Sequence, residues 1–326
     1  MVGGFALVSG PERVAEVPHE PAVALRLTPA PEPPPAAPEP TNTATATAPP
    51  APAVGDDQKA ALPRVAAPDT LPPWKRNSRP FDQNDSRPRI AVVLTGLGLS
   101  SAATEAAIKQ LPPAITLSFT PYAPRLGEYV SLARVNGHEV MLDLPMEPTS
   151  YPDDDPGPQA LLTALSERQN LERLRWALDR ANGYVGVAAV MGSRFLASVD
   201  HLEPILEEIK RSGLVFLDNR ASDESIGGEL ASKIGVPNAV NDRFLDRTLS
   251  SPVAIDARLI QLERIAFTDG AAVAMGRPYQ VTIERLRDWS KDLEKRGYVL
   301  APITAIAARK LDQGAAAHGA KTAKTE

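Results

Sequence analysis

The chain predicts an α/β fold: an irregular (β/α) barrel of about seven to eight parallel strands, preceded by a long disordered Pro/Ala-rich segment. Three observations carry this expectation. Ile90 to Leu94 is a continuous apolar run between Pro88 and a glycine-rich turn, which is how a strand buried on both faces reads. A strand-then-helix unit recurs from that run to residue 308. More than half of the 33 prolines precede Ile90, so residues 1–87 have no apolar periodicity with which to build a core.

The elements follow in order. Met1 to Ser9 is apolar but lacks a basic start, and reads either as a plain terminus or as the end of a truncated membrane anchor. Glu12 to Arg89, with its Thr-Ala alternation, reads as a spacer. Strands are expected at Ile90 to Leu94, Ala114 to Phe119, Glu139 to Leu144, Tyr184 to Val190, Leu214 to Leu217, Val236 to Val240, Ala271 to Met275 and Tyr298 to Pro302. The clearest helix starts at Ser166, whose pairing with Gln169 makes a capping box. It presents Leu171, Leu174, Leu178 and Ala181 on one face and stops at Gly183. A second helix carries Leu202, Ile205, Leu206 and Ile209, and a third Ile283, Leu286, Trp289 and Leu293. Trp176 and Trp289 read as packing aromatics. The domain is placed at 88–309 and a free tail at 310–326.

Composition narrows the function. A net charge of -5 and the lack of interleaved basic and aromatic runs argue against a nucleic-acid partner. Without cysteine there is no disulfide, thiolate nucleophile or thiolate metal site. No stretch reaches the roughly 20 apolar residues of a membrane span. Of the four histidines, His19 and His318 lie in the spacer and tail, His201 opens a helix, and His138 starts a strand at the far rim. None stands at a strand C-terminus, so no metal and no cofactor are expected. Gly96-Leu97-Gly98 lacks the third glycine and the ribose-binding acid of a dinucleotide site, and Ser193 lacks a nucleophile elbow.

In a (β/α) barrel, chemistry collects where the strands end. The residues there are Thr95, Gly96, Tyr122, Asp143, Glu147, Ser193, Arg194, Asp218, Asn219, Arg220, Arg277 and Tyr279, the candidate ligand-binding set. Asp143 is the candidate base. The arginines would grip carboxylate or hydroxyl groups, or pair with Asp143, Asp218 and Asp242, while Tyr122 or Tyr279 would stack on a ring of the ligand.

The segments Gly137 to Pro148, Met191 to Phe195, Phe216 to Arg220 and Gly276 to Tyr279 with Thr282 together resemble the divergent polysaccharide deacetylases. These are distant relatives of metal-dependent carbohydrate esterases with an irregular (β/α) barrel. The resemblance covers about residues 88 to 308. It implies a metal held by Asp and His to polarise an acetyl carbonyl and acidify a bound water. Here the family's Asp-Asp is Thr95-Gly96, and its histidines are Asp143, Val190 and Arg277. The expectation is a catalytically degenerate member that binds an envelope glycan or acts as a scaffold, in the periplasm or cell envelope and with a membrane tether left open. The alternative is an active deacetylase with an oxygen-ligand metal site or no metal.

Overall fold

The computed structural model describes residues 71–247 and 250–311, all within the unit Val65–Glu326. The expected anchor, most of the spacer and most of the tail lie outside the described residues. Among the described residues no helix is long and apolar enough to cross a membrane.

The chain enters through a short helix α1 (Pro73–Arg76) and then β1 (Arg89–Leu97). There follow α2 (Ser101–Gln110), β2 (Thr116–Phe119), α3 (Leu126–Val135), β3 (Val140–Met146), α4 (Glu167–Leu178), β4 (Gly186–Met191), α5 (Val199–Arg211), β5 (Val215–Asp218) and α6 (Gly227–Ile234). The last part contains β6 (Asn238–Val240), β7 (Arg243–Phe244), α7 (Pro252–Asp269), β8 (Ala271–Gly276), α8 (Gln280–Ser290), β9 (Val299–Leu300) and a final helix α9 at 303–311. The sheet order is β6-β5-β4-β3-β2-β1-β8-β7, all pairs parallel, with β9 on the start of β1.

This sheet curls into an incompletely closed barrel. Strands β6 and β7 stand at opposite ends of the order, yet only Asn241 and Asp242 join them. A link of that length spans under about 10 Å, so the two edges must meet. The link bonds to the strand next to each edge: the Asn241 amide donates to Asp218 O on β5 and the Asp242 amide to Val273 O on β8. The sequence expectation of an irregular parallel barrel holds, and the structure adds its seam.

Alternation along β1 shows where the core sits. Ile90, Val92 and Leu94 face the layer of helices, whereas Ala91 and Val93 face the barrel interior with Met141, Val215, Leu217 and Met275. The α4 capping box forms as expected, with the Ser166 side chain accepting from the Gln169 amide and Gln169 Oε1 accepting from the Ser166 amide. That helix ends at Leu178, earlier than the Gly183 stop, because Asp179 already turns as its C-cap. The α5 face is buried as read, and Trp289 is part-buried with its indole N–H on Glu263 Oε1.

One expectation is corrected. Residues 71–87, read as spacer, are folded onto the barrel. Trp74 is only 8% exposed and packs with Ile303, Ile306 and Ala307 in the interior cluster. Its amide donates to Gly213 O, and a Cβ on Gly213 would come within 2.9 Å of Pro72 and Pro73. Glu139, fully buried at the start of β3, accepts from the Arg79 amide and from the Thr304 amide and hydroxyl. One carboxylate thus ties the entry segment and α9 to the same end of the barrel. A single aromatic in a Pro-rich run carries no periodicity, which is why composition misassigned it. Lys310, read as tail, lies in α9 and donates to Asn238 Oδ1.

Candidate functional site

The strands' C-terminal ends hold a small cleft of about 120 Å³. Its polar lining comes from Thr95 at the end of β1, Asn219 after β5, Asp246 and Arg247 after β7, and Arg277 after β8. Met191 and Phe244 complete the wall. Of the residues expected from sequence, Thr95, Asn219 and Arg277 come together here. Asp246, Arg247 and Phe244 were not anticipated.

Asp143 sits beneath the rim with 3% exposure. Its Oδ1 accepts from Ser118 Oγ at 2.5 Å and its Oδ2 from the Gly96 amide at 2.8 Å. Burial pushes its carboxyl up to about 6, against the opposing pull of those two donors. Gly96 can present its amide this way because its φ of 80° is open to glycine. Thr95 Oγ1 points to Gly276 O at 3.4 Å, a long contact.

Asp246 is the second buried carboxylate, 4% exposed. It accepts from the Arg277 amide at 2.9 Å and from Thr282 Oγ1 at 2.7 Å, so it fixes the turn between β8 and α8. Burial raises its carboxyl pKa, with Thr282 and Arg277 working the other way. The signal that could have found it is an internal echo: Phe216-Leu217-Asp218 recurs as Phe244-Leu245-Asp246. The strand carrying the second copy has only two residues and leaves no pattern of its own.

The remaining expected residues have other partners. Asp218 is a local organiser, accepting from the Arg220 and Gly228 amides and from Ser225 Oγ. Glu147 accepts from the Thr163 amide and hydroxyl and from Arg194 at 3.4 Å, bracing the loop after β3. Ser193 Oγ accepts from the Thr149 amide. The Tyr122 hydroxyl accepts from the Gln159 amide, and its ring lies 5.6 Å from that of Trp176, so it packs under the 150s loop away from the cleft. Tyr279 is 40% exposed at the start of α8, with its hydroxyl 3.4 Å from Arg277 Nη1. Arg220 holds a φ of 50° and faces a neighbouring cleft.

The expected pairing of rim aspartates with rim arginines is not what the structure forms. Asp143, Asp218 and Asp242 are satisfied by backbone amides and hydroxyls. The physical reason is reach: Asp143 and Asp218 are sunk below the strand ends and Asp242 is half-buried, while Arg220 and Arg277 stand exposed above them. His138 is buried, with its ring nitrogens at Ile115 O and Ile108 O, and His201 meets Ser198 Oγ, so neither reaches the cleft. Among the described residues no group of three His, Cys, Asp or Glu side chains is placed to hold a metal ion. The donor set of the cleft, a threonine, two arginines, an asparagine and a pre-engaged aspartate, does not fit a divalent cation.

The Asn219 amide is held by Nδ2 donating to Met191 O, which leaves Oδ1 buried without a partner. The cleft lining therefore combines an acceptor without a partner, on a residue 3% exposed, with two arginines.

Comparison with known proteins agrees with this architecture. The chain is similar to the uncharacterized protein YibQ of Escherichia coli, 27% identical over 203 residues, 61% of each chain. It therefore spans less than two thirds of that relative. An uncharacterized Haemophilus influenzae protein is 25% identical over 205 residues, 63% of this chain and 72% of its own. The crystal structure of uncharacterized protein ATU2773 from Agrobacterium tumefaciens superposes with a TM-score of 0.71 at 34% identity, covering 74% of this chain and 97% of that one. Residues 92–307 match the divergent polysaccharide deacetylases, and the chain belongs to that family.

Proposed function

We propose that this chain is a glycan-binding member of its family that does not perform metal-assisted deacetylation, and that it serves carbohydrate or cell-envelope glycan metabolism as a binding or scaffold protein. The observation that carries the reading is the state of the strand ends. Thr95, Val190 and Arg277 line the cleft where the family resemblance implies Asp and His ligands. The guanidinium of Arg277 repels a cation and offers none of the lone pairs a ligand needs. The buried carboxylates Asp143 and Asp246 are engaged by internal donors.

In this reading Arg247 and Arg277 donate to hydroxyl or carboxylate oxygens of the sugar, and Asn219 Oδ1 accepts from a hydroxyl. Tyr279 flanks the ring. The composition of residues 1–70, rich in proline and alanine and free of cysteine, suits a spacer at the cell envelope, with or without a membrane tether.

The test is acetate release and binding on one N-acetylated chitooligosaccharide, with zinc, manganese, magnesium and calcium supplied in turn. The expected result is binding by calorimetry with no acetate and no stoichiometric metal. Metal uptake with acetate release would overturn the reading. A second reading, a working hydrolase with Asp143 as base, draws support from a carboxyl pKa near 6. It requires a rate that follows that ionisation and vanishes in Asp143→Asn.

A further inference from the structure

A second cleft opens at the barrel seam beside the first, with a volume of about 350 Å³, within the size range of small-ligand sites. Arg220, Arg243, Arg247 and Arg258 line it, against Asp223 and Asp242. In a chain of net charge -5 this is a local reversal of sign. Among the described residues none of these four arginines forms an ion pair within 4.0 Å. Their hydrogen bonds go elsewhere: Arg243 to Asp242 O, Arg247 to Ala221 O, and Arg258 to Gln261. Asp242 gives one carboxylate oxygen to the Val273 amide.

An independent observation points to a ligand. Asn241, 2% exposed, lines the cleft and has a buried Oδ1 with no partner. Its orientation is set, because Nδ2 donates to Asn219 O, and a flipped amide would lose that bond. The cleft thus combines unpaired cations with an orphaned acceptor that needs a hydroxyl or N–H donor. Arg247 and Phe244 belong to both clefts, so the two adjoin at these two side chains.

We propose that this seam cleft is a separate subsite for an acidic saccharide, a sugar ring bearing a carboxylate or phosphate. Arg243 and Arg258 take the oxyanion, and Asn241 Oδ1 takes a ring hydroxyl. A simple anion would satisfy the arginines and leave Asn241 orphaned. Nucleic acid is disfavoured because Phe244, the one aromatic among the described lining residues, packs against the interior cluster and has the Arg247 guanidinium 5.0 Å from its ring centroid, a poor platform for a base.

The test uses the full chain at low salt with four probes in calorimetry: trigalacturonate, galactotriose, inorganic pyrophosphate and hexathymidylate. Trigalacturonate is expected to bind in preference to the other three. The double variant Arg243→Gln, Arg258→Gln, whose side chains are exposed, is expected to melt like the parent and weaken trigalacturonate by about tenfold or more. Galactotriose or pyrophosphate binding as tightly as trigalacturonate would overturn the proposal, as would tighter hexathymidylate, no trigalacturonate binding, or an unaffected double variant. Neither Arg243 nor Arg258 lines the smaller cleft, so chitooligosaccharide binding succeeds or fails independently of this result.

Discussion

The two ends of the barrel are built on opposite rules. At the strand N-termini, Trp74 and α9 plug the interior and Glu139 is shared by Arg79 and Thr304. At the strand C-termini, two clefts stay open, Arg220, Arg243, Arg247, Arg258 and Arg277 form no ion pair among the described residues, and Asn219 and Asn241 each keep an unmatched oxygen. Burial and polar satisfaction stabilise a fold, whereas unmatched polar groups cost stability unless something else fills them. The difference places stability at one end and, on the proposed reading, recognition at the other, the division expected of a (β/α) barrel.

The largest effect should come from the closed end. Trp74→Ala opens a cavity under α9 and is expected to cost about 3–5 kcal/mol in urea unfolding. Removal of residues 1–70 should leave the midpoint unchanged, and removal of 1–87 should not. A loss below about 1 kcal/mol for Trp74→Ala would erase the contrast between the ends.

Next is the pH response of Asp143, beneath the open end. Its folded pKa, about 6, lies above the ordinary carboxylate value. The folded state therefore holds its proton more tightly than the unfolded chain, and stability from this group is full below pH about 4 and lost as pH rises through 6. The loss is roughly 2–3 kcal/mol at neutral pH. Asp143→Asn should flatten the stability profile over that window, and an unchanged slope would assign the titration to another group.

A smaller effect is expected at Gly96. Nothing lies within 4 Å of a Cβ built there, so Gly96→Ala carries only the strain of a φ of 80°, about 1 kcal/mol. The smallest stability change belongs to Arg277→Glu, within about 0.5 kcal/mol, since the side chain is exposed and its structural bond to Asp246 comes from the backbone amide. The same variant should abolish chitooligosaccharide binding. Full binding would move recognition away from the cleft.

Much of the barrel was legible because strand and helix periodicities are local. The apolar run at β1, the Ser166 capping box and the α5 stripe each report on a few adjacent residues, and each forms as read. The site was legible only in part. Thr95 near the end of β1, and Asn219 and Arg277 after strands of four and six residues, were found, whereas Asp246 and Arg247 follow a two-residue strand and were not. Tyr122 ends a strand as well, but its neighbours Trp176 and Gln159 claim it.

From sequence alone came the parallel α/β class, the position of the strand ends, and the absence of Asp and His at the places where the family resemblance implies them. Tertiary structure alone decided which strand ends converge, that the barrel seam falls at Asn241 and Asp242, and that Trp74 belongs to the core. It also decided that Asp143, Asp218 and Asp242 bond to amides and hydroxyls while, among the described residues, Arg220 and Arg277 form no ion pair. The physical reason is that identity and local pattern are properties of neighbouring residues. Partnership, burial and the solvation of a charge depend on groups that the chain brings together from more than a hundred residues apart, as Arg89 and Ala305 are.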